Sequence, residues 1–147
     1  MLKSSYQKTL VYLGLEDISA VFMLPEIGGG QDVNENGLWT SAVADFLYIN
    51  FLIGLIEISS GQELLEGNDA PELLRAVYLN SSPQDRPEIW MGVQFAATKK
   101  LLDFLKSHNL LQWEAISEKV NQDFIDLIFD LYEKNEIAIS SLWIKKI

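Results

Sequence analysis

The architecture of this chain follows from residues 40–59, which read TSAVADFLYINFLIGLIEIS. Thr40 or Ser41 can cap the start of a helix, and Gly61 offers a natural end. Between them, apolar side chains are distributed around every side rather than along one stripe, a pattern typical of a helix at the buried centre of its domain. The sequence therefore predicts a long central helix at about residues 40–59.

Shorter helical patterns lie on either side of this segment, with apolar residues recurring at steps of three and four. Residues 28–37 contain Gly28-Gly29-Gly30 and Asn36-Gly37, which favour turns, so they are predicted to form a loop. The apolar stretch 18–24 and the tail 137–147 do not distinguish helix from strand, and we interpret both as short helices. The remaining predicted helices are 4–13, 70–79, 87–108 and 116–135.

These elements predict an all-α fold. The 147 residues match the usual size of one domain, which is large enough to bury a substantial core. No internal repeat or linker divides the chain, so we expect residues 1–147 to form a single helical domain. Its predicted architecture is a bundle of six or seven helices around the buried apolar helix at residues ~40–59.

The composition argues against several functions. A formal net charge of -10 argues against nucleic acid or an anionic membrane as a direct partner. The absence of Cys excludes disulfides and thiolate sites, and a single His argues against a His-rich metal site or a catalytic triad. The start, Met1–Leu10, lacks the apolar run of a secretory signal, and the longest apolar stretch, Phe46–Ile56, is too short to span a bilayer. We therefore expect a cytoplasmic protein without a membrane segment.

The negative charge is concentrated in the middle of the chain. No Lys or Arg occurs between Lys8 and Arg75, whereas residues 99–147 carry 7 basic and 8 acidic side chains. Such a run often serves solubility alone, but it can also form a docking face that speeds encounter with a basic partner. Gly67 and Asn68 interrupt the run, which favours a helix end and loop over one helical stripe. The predicted partner-binding residues are Glu57, Glu63, Glu66, Asp69 and Glu72.

The predicted loop carries two weaker motifs. Asp32-x-Asn34-x-Asn36-Gly37 resembles the first half of an EF-hand calcium loop, but Val43 stands where the carboxylate of position 12 is required. The three glycines lack the following Lys and hydroxyl residue of a phosphate-binding loop. We therefore predict a plain loop, with no metal and no cofactor.

Candidate acid–base residues are interpreted as surface groups. His108 falls at a predicted helix end, where the terminal carbonyl dipoles favour a partly charged imidazole. Three carboxylates share one helix face with two lysines, which is typical of a solvated surface rather than a paired-acid site. These five residues are Asp123, Asp126, Asp130, Lys119 and Lys134. No catalytic residue is predicted.

Polar and aromatic residues in the helices are expected to have structural roles. Asp45 and Asn50 lie within the apolar helix, where a buried polar group needs a partner. The tryptophans are expected to pack in the core, with the rim of an interface as the alternative. They are Trp39, Trp90, Trp113 and Trp143.

A small, acidic, cysteine-free, single-domain chain with no catalytic constellation resembles the stand-alone bacterial immunity proteins of polymorphic or contact-dependent inhibition systems. The resemblance is one of profile, with no motif, so it assigns no site residues. It implies a monomer that binds a basic, nuclease-like toxin one-to-one in the cytoplasm and covers its active site or substrate groove. The alternative is a helical adaptor or secretion chaperone that acts as a homodimer and holds an unfolded or amphipathic segment in an apolar groove. An enzyme is not expected.

Overall fold

The computed structural model of the chain describes residues 2–32 and 37–135. Six α-helices in this part of the chain are α1 (Leu2–Leu15), α2 (Leu38–Leu52), α3 (Pro71–Leu79), α4 (Pro87–Gly92), α5 (Lys99–Ser107) and α6 (Gln122–Glu133). Three strands are β1 (Ile18–Ser19), β2 (Ile56–Ser60) and β3 (Gln94–Ala97). Short 3-10 helices lie at Ala20–Phe22, Ile27–Asp32, Gln62–Leu65 and Trp113–Ser117.

The molecule is mostly helical but not all-α, and this corrects the sequence-based prediction. The strands form an antiparallel sheet in the order β1-β3-β2. Central β3 places Phe95 opposite Ile18 on one side and opposite Ile58 on the other. The Phe95 ring also packs edge-on against Phe51 of α2 and Tyr78 of α3, with centroids 6.1 Å away in both cases. The sheet is thereby joined to the helical core.

The predicted central helix at residues 40–59 is too long because Gly54 ends it. Gly54 has a φ of +76°, and no heavy atom lies within 4 Å of the position that a Cβ would take. Its N–H donates to the Phe51 carbonyl at 3.1 Å, and that of Leu55 donates to the Asn50 carbonyl at 2.9 Å. These two bonds define a Schellman motif, which turns the chain out of α2 and towards β2.

The predicted helix at residues 87–108 contains a strand. α4 ends at Gly92, and Val93 is extended with a ψ of 124°. A new helix starts only after Thr98, whose side-chain oxygen accepts a hydrogen bond from the Leu101 N–H. The helical spacing of apolar residues across this region therefore comes from three elements that each bury side chains in the same core.

The other predicted helices are found with changed ends. α1 and α3 lie where expected, and α2 is still the buried centre, with buried residues from Trp39 to Asn50. α6 begins at Gln122 rather than near residue 116, because the Asn121 side chain accepts a hydrogen bond from the Phe124 N–H at 3.0 Å and caps the helix. The interpretation of residues 18–24 as a helix is wrong at its start, where β1 precedes one 3-10 turn.

The predicted loop is a turn of 3-10 character in which Gly28, Gly29 and Gly30 all have positive φ. Residues 33–36 of the calcium-like motif and the tail at 137–147 lie outside the described residues. Within residues 2–32 and 37–135, no helix combines the length and the apolar character needed to cross a membrane.

Candidate functional site

The five predicted partner-binding residues lie on successive elements between β2 and α3, which we call the acidic segment (residues 57–72). Glu57 lies on β2, Glu63 in the 3-10 helix Gln62–Leu65, and Glu72 in the first turn of α3. Glu66 and Asp69 lie in the connecting turn. All are exposed except Asp69, which is half-buried. The carboxylates thus follow a turn rather than one helical stripe, as the interruption at residues 67–68 predicts.

The acidic segment is seated on α4 by a close approach of two backbones. Gly61 has a φ of +80°, and a Cβ at this position would collide with the Gly92 carbonyl. A Cβ on Gly92 would lie 2.7 Å from Cδ1 of Leu64. Leu65 is buried beneath the turn, and its carbonyl accepts a hydrogen bond from the Asn68 side chain at 2.9 Å. Two glycines therefore allow a tight contact that holds the carboxylates in place.

One carboxylate of the acidic segment has a hydrogen-bond partner within the turn. The Asp69 carboxylate accepts a hydrogen bond from the Gln62 side-chain amide, which joins the two ends of the turn. This bond leaves Asp69 less available than its neighbours for contacts with another molecule.

The fold brings one cation to this region that is distant in sequence. Arg86 forms an ion pair with Glu88. The hydrogen bond to Glu88 raises the pKa of Arg86, and the charges of Glu88 and then Glu66 raise it further. Arg86 therefore lies close enough to interact with the charge of Glu66, although no cation lies near Glu66 in the sequence.

The other nearby cation is turned away from the acidic segment. Arg75 of α3 donates from Nε to Oδ1 of buried Asp45 at 2.8 Å, and its guanidinium carbon lies 5.8 Å from the centre of the Tyr48 ring. Both partners are on α2. No ion pair within the described part of the chain involves three of the acidic residues, namely Glu57, Glu63 and Glu72.

A second feature is a mostly apolar groove of about 350 Å³ between α1 and the segment that follows β1. Its walls include Tyr12, Phe22, Pro25 and Ile116. Phe22 is 62% exposed, and Trp113, which is 54% exposed, packs edge-on against Tyr12 with ring centroids 5.8 Å apart. We call this feature the aromatic groove.

Lys8 and the glycine turn meet at the aromatic groove, which also contains Gly29 and Gly30. The Lys8 ammonium lies 2.6 Å from Oε1 of Glu26, and Ser5 Oγ donates to Oε2 of the same carboxylate at 3.2 Å. The hydrogen bond from Lys8 lowers the pKa of Glu26. Because Glu26 engages Lys8, this glycine turn has little positive charge with which to hold a phosphate.

The polar residues of α2 have internal partners. Asn50 is fully buried, donates to the Phe46 carbonyl at 2.8 Å and accepts from the Tyr132 hydroxyl at 2.8 Å. Burial raises the pKa of Tyr132, and burial, then the charges of Tyr132 and Asp45, raise that of Tyr6. Both phenols therefore remain protonated and serve as neutral hydrogen-bonding groups.

The remaining candidates are spread over the molecule. His108 ends α5, where its Nδ1 lies 2.8 Å from the Phe104 carbonyl oxygen. Trp39 and Trp90 are buried against each other with ring centroids 5.0 Å apart. Trp143 lies outside the described residues. Three aspartates of α6 that were candidates are exposed; they are Asp123, Asp126 and Asp130.

Comparisons with protein-family models, with curated proteins and with solved structures gave no match. In the described ranges 2–32 and 37–135, no group of three or more His, Asp or Glu side chains could hold a metal ion. A carboxylate-rich turn can bind Lys and Arg side chains, whereas the aromatic groove can take up an apolar segment.

Sequence reasoning did not identify the apolar residues that accompany these surfaces. Tyr12 and Phe22 belong to apolar patterns that predict core positions, and only the packing of α1 against the following segment brings them to a groove. Leu73 and Leu79 of α3 are also exposed, at 47% and 39%. The outward position of Leu73 and Leu79 could have been predicted from the sequence. In a helical projection they fall on the side away from Leu74 and Tyr78, which are buried.

Proposed function

We propose that this chain is a non-catalytic, acidic protein-binding module of the cytoplasm, acting as an immunity protein that covers the active site or substrate groove of a basic, nuclease-like toxin. The observation that supports this proposal most is the acidic segment, in which exposed carboxylates are carried on a turn fixed by the Gly61–Gly92 contact. A fixed turn costs little ordering entropy on binding, and its field speeds the approach of a cationic surface.

The proposal predicts that association depends on these carboxylates and not on total charge. Replacing Glu63, Glu66 and Glu72 by Gln removes three exposed charges from the acidic segment. A matched control replaces three exposed carboxylates of α6 by Asn, at Asp123, Asp126 and Asp130, with the same change in net charge. The partner is first recovered from the organism's own cells with the tagged protein, at low and at high salt, and identified by mass spectrometry.

Association of that partner with both variants is then measured at low salt by stopped-flow fluorescence. The Gln variant should associate about tenfold more slowly than the wild-type chain, whereas the α6 variant should be nearly unchanged. Equal rates for the two variants would remove the acidic segment from the interface. Recovery of a partner with no basic surface would contradict the proposed function itself.

The aromatic groove favours a second candidate, a helical adaptor or secretion chaperone that acts as a homodimer. An apolar groove lined by exposed Phe22, with exposed Trp113 packed on its lining residue Tyr12, is suited to an amphipathic segment of a client protein. Analytical ultracentrifugation separates the two candidates, since a stable homodimer supports the chaperone and a monomer supports the immunity protein. Client binding that is lost on replacing Phe22 and Trp113 by Ser would also favour the chaperone.

A further inference from the structure

The outer face of α3 carries apolar side chains that no described element covers. Leu73 and Leu79 are 47% and 39% exposed, and Ala76 between them is exposed as well. The opposite face, with Leu74 and Tyr78, is buried in the core. α3 thus has an apolar inner face, which packs in the core, and a second row of apolar residues on its outer face.

Residues 73, 76 and 79 are spaced by three, so they form one of the inclined ridges by which helices pack together. The row has a leucine at each end and an alanine in the middle. A small residue flanked by two larger ones creates a shallow saddle, in which a ridge of another helix can approach closely. This shape favours a helix over an extended strand as the occupant.

The charge around the row determines the kind of helix. Glu72 borders the row at its start, and the carboxylates of Glu63 and Glu66 lie in the turn that leads into α3. The one cation of α3, Arg75, is directed at Asp45 and Tyr48 of α2, so it does not offset these charges on the outer face. A second copy of the same face would bring like charges together, which disfavours self-association through α3.

We propose that the outer face of α3 docks a cationic amphipathic helix of the partner, whose apolar side chains pack on Leu73, Ala76 and Leu79 and whose Lys or Arg residues reach the acidic segment. The inference rests on the proposed function, because it specifies the part of a basic partner that this surface takes. It adds a steric requirement to the electrostatic one. The carboxylates alone would bind any cationic segment. The apolar row on α3 restricts binding to cationic segments that can form a helix with an apolar face.

The test uses a synthetic helical peptide with leucines on one face and lysines elsewhere, and a peptide of the same composition in scrambled order. Binding is measured by fluorescence anisotropy, and the contacted residues are mapped by ¹⁵N–¹H NMR. The helical peptide should bind at least about tenfold more tightly than the scrambled one and shift α3 resonances. Replacing Leu73 and Leu79 by Ser should weaken it about tenfold, with folding of the variant checked by circular dichroism.

A control variant carries Ser in place of Phe22, which lines the aromatic groove, and of Trp113, which packs on the lining residue Tyr12, and should bind as the wild-type chain does. Equal binding of the two peptides, absence of binding, or insensitivity to the Leu73 and Leu79 changes overturns the inference. Loss of binding in the control variant also overturns it, because the peptide then occupies the aromatic groove. Where Gln at Glu63, Glu66 and Glu72 weakens binding but the leucine changes do not, the proposed function stands and only the docking helix is wrong.

Discussion

Asn50 shows at the scale of one residue how the core of α2 accepts a polar group. It is fully buried, and its amide has a donor and an acceptor contact, to the Phe46 carbonyl and the Tyr132 hydroxyl. Phe46 is on the same helix, whereas Tyr132 is 82 residues away in sequence on α6. The side chain therefore ties α6 to α2, and this bond specifies one alignment of the two helices in a way that apolar contacts do not.

The contribution of this bond can be measured by a double-mutant cycle. Tyr132→Phe leaves the Asn50 carbonyl oxygen without this donor, and Asn50→Leu leaves the Tyr132 hydroxyl without its acceptor. Each change should lower the free energy of unfolding by about 1–3 kcal/mol. The double variant should lose less than the sum of the two, because no polar atom of the pair is then left unsatisfied. Additive losses in urea denaturation would contradict this account.

Glu26 gives the molecule a measurable pH dependence. Its hydrogen bond from Lys8 holds its pKa below the ordinary value of 4.5. The pair therefore contributes stability above that ordinary value and loses it as the pH falls through the lowered pKa. Because both side chains are partly exposed, the contribution should be below about 1 kcal/mol. On going from about pH 6 to about pH 3, wild-type protein should lose slightly more stability than Glu26→Gln. Equal losses would show that the pair contributes nothing.

At the scale of the elements, two positions at the ends of α2 and β2 require glycine for different reasons. Gly54 needs only its positive φ, since space is free around it, whereas Gly61 needs both its positive φ and its contact with the Gly92 carbonyl. Gly54→Ala should cost about 1–2 kcal/mol for the left-handed conformation alone. Gly61→Ala should cost about 1–3 kcal/mol more, because the two backbones must also separate. Chemical denaturation of both variants provides the comparison, and equal costs would argue against a close seating of the acidic segment on α4.

Much of the helical architecture could be predicted from the sequence, because α1, α2 and α3 have apolar residues at helical spacing and Pro71 marks the start of α3. The expected side-chain caps are not found, since α2 begins after Gly37 and α3 after Ala70. The strands could not be predicted, because β3 forms by pairing with Ile18 of β1 and Ile58 of β2, which lie far from it in sequence. The spacing from Trp90 to Leu105 fits a helix equally well, and only Gly92 hints at the break. Gly54 was a stronger indication of a break, but the five apolar residues on its two sides, at 51–53 and 55–56, favoured a continuous helix.

The sequence predicts which carboxylates belong to the acidic segment, but it does not predict how they are arranged on the surface. Its seating on α4, the approach of Arg86 and the inward direction of Arg75 all depend on tertiary contacts. The aromatic groove depends on packing in the same way. Sequence therefore identifies where charge is concentrated, whereas the fold decides which charges are compensated.

For the whole molecule, the net charge of -10 should oppose folding through repulsion between carboxylates. Raising sodium chloride from about 0.01 M to about 1 M shortens the Debye length from about 30 Å to about 3 Å, so the melting temperature should rise. Thermal unfolding followed by circular dichroism measures this. The variant with Gln at Glu63, Glu66 and Glu72 should melt at a higher temperature at low salt and respond less to salt. A melting temperature that is insensitive to salt would show that these charges do not repel one another appreciably.

The arrangement of the sheet also affects how the protein is made. β1 and β2 do not pair with each other; both pair with β3, which is the last of the three strands to leave the ribosome. Until residue 97 has emerged from the exit tunnel, the isoleucines of β1 and β2 have no strand to pair with, although α1 and α2 can already form. The nascent chain therefore presents two unpaired strands from the emergence of residue 60 until that of residue 97, a period in which their exposed edges are prone to aggregation.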